Sequence, residues 1–304
     1  MYAPIALFVY KRPVHARKTV EALQKNDLAE QTDLVVFSDG PKTCAAESSV
    51  QEVRKYLNQI DGFKSIRLFE RTTNFGLANS IIDGVTRVCD EYGRVIVVED
   101  DLVTSKHFLK FVNDGLDLYE YEEKVISIHG YMYPVRHPLP ETFFLRGADV
   151  WGWATWQRGW ALFEPDGIAL LEALKRSSLE RAFNFDDSYD YIGMLQSQIM
   201  GKLDSWAIRW YASAFLENRL TLYPGRSLVQ NIGIDSSGSH CETTRVYFNQ
   251  ISDRYVSVGG IKIEESFEAR SAVADFFRNA RSPLLTRAMA KVRNMIKRRQ
   301  TGTD

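Results

Sequence analysis

Apolar runs alternate with stretches of helical periodicity along the first third of the chain. Four short runs consist almost wholly of apolar residues, the pattern of strands buried on both faces, and they cover residues 5–9, 34–37, 66–69 and 95–98. Between them, apolar residues recur every three or four positions, which predicts helices that begin near Pro13, Val50 and Leu77. This β-α-β-α-β-α-β order predicts an α/β fold with a doubly wound, mainly parallel sheet flanked by helices.

The pattern after residue 105 is less regular. It predicts helices at 108–121, 167–183 and 206–215, and strands at 125–128 and 220–223. From Arg281 onward, apolar residues fall on one helical face and arginines and lysines on the rest, with no acidic residue between Asp275 and Asp304. A basic amphipathic helix of this kind favours an anionic membrane surface; docking on the core or a dimer contact is the alternative.

Composition limits the class of protein. The 304 residues carry a formal net charge of −1, with 45% hydrophobic and 25% charged residues, which excludes a nucleic-acid-binding polycation and a disordered acidic chain. The three cysteines, Cys44, Cys89 and Cys241, are too widely spaced for a disulfide framework or a cysteine-rich zinc site. Because there is no signal-peptide pattern and no membrane-length apolar run, we expect a cytoplasmic protein.

Three acidic residues follow the fourth predicted strand, in the stretch RVIVVEDDLVT. Glu99, Asp100 and Asp101 repel one another at a strand end, and sheet packing alone gives no reason to place them there. Hard oxygen ligands at the mouth of a parallel sheet suit Mg²⁺ or Mn²⁺ bound together with a phosphorylated ligand. The alternative is a solvated acidic turn that caps a helix starting near Ser105.

Polar residues also end the first two predicted strands. Arg12 follows the first and Asp39 the second, and the carboxyl ends of parallel strands share the edge of the sheet where ligands bind. No GxGxxG motif follows the first strand, and no GxxxxGK[ST] motif occurs in the chain. We therefore expect phosphates to be neutralised by a metal and basic side chains rather than by a glycine-rich loop.

The segments PIALFVYKRP, FSDG, NFGLAN and VVEDDL occur in the order typical of one enzyme family. The chain resembles glycosyltransferases of the GT-A fold, is similar to the family 2 enzymes and, around VVEDDL, resembles the N-acetylglucosaminyltransferase I group. The resemblance is good over residues 3–115, patchy over 140–240 and absent beyond. It implies that Asp101 binds Mn²⁺ or Mg²⁺. It also implies a set of donor-nucleotide contacts: Tyr10, Arg12, Asp39, Asn74, Asn79, Glu99 and Asp100.

The segment TFFLRGADVWGWATWQRGW holds four of the six tryptophans. Flat sugar faces stack on indole rings, and the segment resembles the GxGW acceptor-side region of the N-acetylglucosaminyltransferase I group. This predicts acceptor contacts from Asp149, Trp151 and Trp153. The alternative is that the tryptophans pack in the core.

Two further residues are candidates for chemistry. Asp204, in DSWAIRW, resembles the general base of inverting family members, although the first acid of the family's usual pair is here Leu203, and an N-cap role is the alternative. Substitutes for the base are Asp149, Glu164 and Asp187. His240 ends a glycine- and serine-rich segment and is the candidate second metal ligand; a solvated loop histidine is the alternative.

Together these observations predict a metal-dependent, inverting glycosyltransferase. The donor is a nucleotide-sugar, with a UDP-sugar favoured, and the acceptor a glycan or lipid-linked glycan in bacterial surface polysaccharide synthesis. The predicted parts are a nucleotide-sugar-binding half (1–130), an acceptor-binding and catalytic half (131–265) and a basic helical extension (266–304) that attaches peripherally to the inner face of the membrane. Alternatives are a sugar-phosphate nucleotidyltransferase, which would want a glycine-rich loop after the first strand, and an inactive glycan- or nucleotide-binding module.

Overall fold

The computed structural model of the chain describes residues 2–235 and 246–281. Its strands are β1 (Ile5–Val9), β2 (Asp33–Ser38), β3 (Ser65–Glu70), β4 (Arg94–Glu99), β5 (Leu102–Thr104), β6 (Val125–His129), β7 (Thr142–Arg146), β8 (Trp153–Trp156), β9 (Leu220–Pro224) and β10 (Val229–Asn231). Its helices are α1 (Pro13–Gln24), α2 (Cys44–Leu57), α3 (Leu77–Tyr92), α4 (Phe108–Leu118), α5 (Gln157–Trp160), α6 (Gly167–Arg176), α7 (Glu180–Phe183), α8 (Tyr191–Ile199), α9 (Ala207–Leu216) and α10 (Phe267–Arg281).

One eight-stranded mixed sheet organises the chain, in the order β3-β2-β1-β4-β8-β6-β9-β7. Neighbours among β1, β2, β3 and β4 pair in parallel, as do β6 and β9. Strand β8 runs antiparallel between β4 and β6, and β7 runs antiparallel to β9 at the edge. The predicted α/β fold with a mainly parallel sheet flanked by helices is confirmed. Because β8 inserts between β4 and β6, the predicted halves 1–130 and 131–265 share this sheet.

The long apolar runs predicted the strands well. Each run predicted as a strand falls within an observed strand. Strands β1, β2 and β4 are apolar because both of their faces are covered, whereas β3 is an edge strand and is partly exposed. Strands β5, β7, β8 and β10 were not predicted. The sequence of β8, WATW, belongs to the tryptophan-rich segment, whose aromatic density carries no clear period.

The predicted helix 167–183 is wrong as a single element. It consists of α6 and α7, separated at Ser178, which has a left-handed backbone conformation with φ of 52°. A non-glycine residue in this region interrupts the helical hydrogen bonds. Helix α8 follows and was not predicted at all.

Both faces of the sheet are covered. One face packs α3, α5 and α9 through a tryptophan cluster in which the Trp153 ring lies 5.6 Å from that of Trp206 and 5.8 Å from that of Trp210. Helix α10 adjoins β7, where the backbone N–H of Ser266 donates to the carbonyl of Phe144.

The basic segment from residue 282 lies outside the described residues. No helix among those described is both long and apolar enough to cross a lipid bilayer.

Candidate functional site

Three parallel strands bring the predicted donor residues to one edge of the sheet. Val9 pairs with Ser38, and Phe8 pairs with Glu99, so the chain leaves β1, β2 and β4 at the same level. The backbone N–H of Asp39 also donates to the carbonyl of Val9. Arg12, Asp39 and the acidic triplet Glu99, Asp100 and Asp101 therefore lie along a single edge, as their strand-end positions predicted.

Arg12 neutralises two of the three acids. Its Nη2 contacts Oδ1 of Asp100 and lies 2.7 Å from Oδ2 of Asp101. Side-chain exposures are 18% for Arg12, 7% for Asp100 and 15% for Asp101, so the pairs are largely shielded from water. Burial lowers the pKa of Arg12, but its pKa still lies above the ordinary value because the two carboxylates outweigh burial. The guanidinium is therefore held as a fixed cation in the acidic triplet.

One arginine does not balance three carboxyl groups. Burial, together with the charges of Asp101 and Asp100, raises the pKa of Glu99 to about 8, although Arg12 opposes the rise. Burial also raises the pKa of Asp100 to about 6, with Arg12 again opposing and Asp101 adding to it. Burial is the largest cause of both shifts and charge repulsion among the carboxylates adds to it, while two carboxylates, Asp100 and Asp101, share the single charge of Arg12. The triplet therefore favours a further cation.

The helix-cap alternative for the acidic triplet is wrong. The residues after it form β5 rather than a helix, and α4 starts only at Phe108. His107 occupies the N-cap position of α4, and no side chain caps that helix end. The acids are instead engaged by Arg12, which lies almost ninety positions earlier in the chain.

Asp39 is bound quite differently from the triplet. Its Oδ1 accepts from the backbone N–H groups of Gly40 (2.9 Å) and Phe75 (2.8 Å). Its Oδ2 accepts from the side-chain amide of Asn74 (2.9 Å) and the backbone N–H of Gly76 (3.0 Å). Gly76 has φ of 75°, a left-handed conformation that favours glycine. The carboxylate of Asp39 thus holds the turn 74–76 against the end of β2.

Tyr10 and Asn79 lie at the margin of this edge. The backbone N–H of Tyr10 is 3.4 Å from Oδ2 of Asp100, and its hydroxyl accepts from the backbone N–H of Lys42 at 2.9 Å. Asn79 is exposed on the first turn of α3, where its amide donates to the carbonyl of Phe75 at 3.1 Å. Tyr10 therefore adjoins the acidic triplet, whereas Asn79 adjoins the turn held by Asp39.

A small second sheet closes the edge beside the triplet. Strand β10 pairs antiparallel with β5, and the backbone N–H of Ile232 then donates to the carbonyl of Asp101 at 2.8 Å. Gly233 follows so closely that a Cβ built on it would lie 2.1 Å from Oδ2 of Asp101 and 2.8 Å from Nη1 of Arg12. Sequence patterns did not single out Gly233. His240, the predicted second metal ligand, lies outside the described residues.

Asp204 also lies close to the turn 74–76. A Cβ on Gly76 would be 3.5 Å from its Oδ2, so the exposed carboxylate approaches the segment that Asp39 holds. The N-cap alternative for Asp204 is wrong, because α9 starts at Ala207 and Oγ of Ser205 accepts from the N–H of Ile208 at 3.3 Å. Within the described chain no hydrogen bond to the Asp204 carboxylate is found, and its charge interacts with that of Arg209.

The substitute bases are more constrained. Oδ2 of Asp149 accepts from the hydroxyl of Tyr133 at 2.6 Å. Oε1 of Glu164 accepts from the backbone N–H of Asp166 at 2.7 Å. Asp187 has a left-handed backbone and lies 3.8 Å from Nε of Arg181. Asp204 therefore remains the better candidate on geometry.

Asp149 and Trp151 lie beside an aromatic cluster at the end of β6. The backbone N–H of Trp151 donates to Nε2 of His129 at 3.0 Å, and its half-buried ring contacts the ring of Tyr131 at 4.7 Å. Burial lowers the pKa of His129 to about 4, so this imidazole is neutral and its Nε2 is an acceptor. Both predicted acceptor residues are thus held in place while Trp151 stays partly exposed.

The prediction that Trp153 contacts an acceptor is corrected. Its ring is fully buried and packs in the tryptophan cluster under the sheet. Successive side chains of a strand point to opposite faces, and this face of β8 is covered by helices. Trp156 and Trp160 are also buried, so core packing describes most of this segment.

A cavity that sequence patterns did not identify lies next to Asp204. Its volume is about 580 Å³, and Leu203, the residue before Asp204, forms part of its wall. The other lining residues belong to α8 and its flanks: Tyr189, Asp190, Gly193, Met194, Gln196, Ser197 and Met200. The polar and aromatic stretch NFDDSYDYIG, which runs into α8 and includes Tyr189, Asp190 and Gly193 of the lining, was the available signal.

The described residues contain no group of three or more His, Cys, Asp or Glu side chains arranged to hold a metal ion. Asp100 and Asp101 nevertheless fit a shared site, because carboxylate oxygens are preferred ligands of Mg²⁺ and Mn²⁺ and the triplet keeps surplus negative charge.

Comparisons with known proteins leave the family open. No protein-family model matches the chain, and no curated protein matches it. Among solved structures, TarS of S. aureus is similar over 49% of this chain and 25% of TarS, with 18% identity and a TM-score of 0.33. A 4-diphosphocytidyl-2C-methyl-D-erythritol synthase from Anaerococcus prevotii DSM 20548 is similar over 53% of this chain and 73% of that protein, with 12% identity and a TM-score of 0.32. The chain thus spans a quarter of TarS, and likenesses of this size assign no activity.

Proposed function

We propose that this protein is a metal-dependent, inverting glycosyltransferase that uses a nucleotide-sugar donor. The observation that carries the proposal is the edge formed by β1, β2 and β4, where surplus carboxylate charge and a fixed guanidinium meet. Surplus negative charge repels a diphosphate unless a divalent cation binds with it. That requirement is typical of donors that leave as a nucleoside diphosphate.

The roles of the residues follow from their positions. Asp101, with Asp100 beside it, would hold Mn²⁺ or Mg²⁺, which stabilises the negative charge that develops on the diphosphate leaving group. Arg12 is close enough to contact the same phosphates. Glu99 would face the donor sugar, and Tyr10 and the turn 74–76 would border its nucleotide.

Asp204 is the proposed general base. An inverting transfer needs a carboxylate that takes the proton from the acceptor hydroxyl on the side opposite the leaving group. The Asp204 carboxylate is exposed and lies next to the turn 74–76, and the residue before it, Leu203, lines the 580 Å³ cavity. Asp149 and Trp151 would contribute to the acceptor side.

The finer parts of the proposal concern substrate and place. We propose a UDP-sugar donor carrying a hexosyl or N-acetylhexosaminyl group. The acceptor would be a glycan or lipid-linked glycan of bacterial surface polysaccharide, reached from the cytoplasmic side of the membrane. The basic segment from residue 282 would attach the protein to anionic lipid. Loss of binding to anionic vesicles after truncation at residue 282 supports that attachment; unchanged binding refutes it.

Thermal unfolding with a panel of nucleotides tests the donor site. UDP, GDP, CMP and dTDP are each added with Mn²⁺, Mg²⁺ or EDTA to the wild-type protein, to Asp101→Ala and to the exposed-acid control Glu52→Ala on α2. A ligand that binds only the folded state raises the melting temperature by mass action. We expect one nucleoside diphosphate to raise it in a metal-dependent way in wild type and Glu52→Ala but not in Asp101→Ala.

Two other outcomes would change the proposal. A metal-dependent shift without release of nucleoside diphosphate from any nucleotide-sugar, with or without glycan acceptors, would favour the inactive binding module. No shift from any nucleotide would refute the donor site.

A further inference from the structure

Arg12 takes the place of a cation between Asp100 and Asp101. A single nitrogen, Nη2, contacts a carboxylate oxygen of each residue, with 2.7 Å to Oδ2 of Asp101. This terminal nitrogen carries two protons, so each carboxylate receives one of them. The bridge joins the first loop of the chain to the acidic triplet.

Hydrogen bonds from neighbouring segments hold the backbone of both acidic residues in this arrangement. The hydroxyl of Thr19 donates to the carbonyl of Asp100 at 2.8 Å, and the N–H of Ile232 donates to the carbonyl of Asp101 at 2.8 Å. Gly233 packs closely against Asp101. A Cβ atom added to Gly233 would lie only 2.1 Å from Oδ2 of Asp101. The side of Asp101 that faces Gly233 therefore has no room for a further ligand while Arg12 is bound.

We propose that Arg12 is a built-in counter-ion that competes with the divalent cation, so that the cation binds well only together with the nucleoside diphosphate. The diphosphate would give the guanidinium a new partner and the cation its missing oxygen ligands. This inference rests on the proposed function for the identity of the diphosphate, but the competition itself concerns only Arg12, Asp100 and Asp101.

Charge explains why the two cations exclude each other. Arginine stays protonated at any pH at which the protein is folded, so Arg12 can leave Asp101 only by moving. A guanidinium and a divalent ion on the same carboxylate oxygens repel each other strongly where water is scarce. A phosphate accepts two parallel hydrogen bonds from arginine and is an equivalent partner. Linkage then requires nucleotide and metal to raise each other's affinity.

Binding of Mn²⁺ without nucleotide tests this competition. Free Mn²⁺ is counted by electron paramagnetic resonance in titrations of wild type, Arg12→Gln and Lys18→Gln. The last variant removes the same charge from an exposed site on α1. We expect Arg12→Gln to bind Mn²⁺ at least about tenfold more tightly than wild type, and Lys18→Gln to match wild type. Adding UDP should tighten Mn²⁺ binding in wild type more than in Arg12→Gln.

Equal Mn²⁺ affinity of wild type and Arg12→Gln would overturn the proposal, as would no binding to either. Because Arg12→Gln leaves two shielded carboxylates unpaired, its melting temperature is measured with and without Mn²⁺. Stabilisation by Mn²⁺ at concentrations that leave wild type unchanged supports competition. If Arg12→Gln does not fold in either condition, Arg12→Lys decides. Its ammonium keeps the charge on a shorter side chain that reaches the two carboxylates less closely, so we expect Mn²⁺ binding only modestly tighter than in wild type, and affinity equal to or weaker than that of wild type would overturn the proposal.

These readouts separate the inference from the proposed function. Tighter Mn²⁺ binding by Arg12→Gln without sugar transfer by wild type would refute the transferase and leave the competition standing. Sugar transfer by wild type with unchanged Mn²⁺ affinity in Arg12→Gln would refute the competition alone.

Discussion

Asp39 and Asp101 end neighbouring regions of one sheet edge, yet their carboxylates are held by opposite means. Asp39 accepts four hydrogen bonds from uncharged N–H groups, all within 3.0 Å, and its two oxygens are satisfied by the local chain. Asp101 shares one cation with Asp100 and has Glu99 beside it. The carboxylate of Asp39 has all its hydrogen bonds within the folded protein. The carboxylate of Asp101 shares the single positive charge of Arg12 with Asp100.

The difference separates a structural acid from a ligand-binding acid. A buried carboxylate bound by several N–H groups fixes backbone and gains nothing from a further cation. A cluster of carboxylates with too few cations stays destabilised until one arrives. Under the proposed function, Asp39 would shape the donor site and the acidic triplet would bind the cation. The contrast also predicts that substitutions in the two regions act on different properties.

Substitution of Asp101 should have the largest effect, and it should act on turnover. We expect Asp101→Ala to lower the rate of nucleoside diphosphate release from the donor by about 10²–10³-fold, because a group that positions charge at the leaving phosphates is lost. The free energy of unfolding should change by less than about 1 kcal/mol, since Asp100 keeps Arg12 as a partner and a like charge is removed. Steady-state kinetics and urea unfolding measure both quantities. A fall in the free energy of unfolding that exceeds the rise in activation free energy calculated from the lost rate would contradict the comparison.

Substitution of Asp39 should act on stability. Asp39→Ala leaves four N–H donors without their acceptor, and we expect the free energy of unfolding to fall by about 3 kcal/mol. Asp39→Asn should also destabilise, because its amide group faces donors. The exposed-acid control Glu52→Ala should change stability by no more than about 0.5 kcal/mol. Urea unfolding is the measurement. An Asp39→Ala protein as stable as wild type would show that the turn 74–76 is held by other contacts.

The pH dependence of stability tests a third buried group at this edge, His129. Its pKa is about 4 in the folded protein against 6.5 for an unburied imidazole, so the unfolded state binds a proton first as pH falls. The stabilisation is complete above about pH 6.5 and is lost progressively down to about pH 4. Compared with His129→Gln, which still offers Trp151 an acceptor, wild type should lose on the order of 2 kcal/mol more between pH 7 and 4. Parallel pH curves for the two proteins would contradict this assignment.

The smallest expected effect comes from Gly233. Its Cβ in Gly233→Ala would lie 2.1 Å from Oδ2 of Asp101, so the carboxylate or the segment after β10 must shift. We expect about tenfold weaker binding of nucleotide with Mn²⁺, measured by calorimetry, since one misplaced ligand costs roughly one tenfold step. Melting temperature without ligand should stay close to that of wild type. Unchanged nucleotide affinity would show that Asp101 moves freely in its pocket.

Sequence patterns predicted the sheet edge formed by β1, β2 and β4 better than the region around β7 and β8. Strands β1, β2 and β4 are apolar on both faces and end at charged residues, so both their existence and their edge could be predicted. Strand β8 could not, because its aromatic residues carry no clear period and its neighbours β4 and β6 are far away in sequence. For the same reason Trp153 was assigned to an acceptor rather than to the core.

The order of apolar runs by itself determined the α/β class and the presence of acids at the carboxyl ends of strands, because these features depend on periodicity within short segments. Only the tertiary structure decided which acids are satisfied. Arg12 and Asp100 are separated by 88 positions, Asp39 and Gly76 by 37, and the approach of Asp204 to Gly76 crosses more than a hundred. Local propensity does not encode contacts between residues that lie so far apart in the chain. Packing of the sheet and its helices creates these contacts, and with them the difference between the fully hydrogen-bonded carboxylate of Asp39 and the two carboxylates that share Arg12.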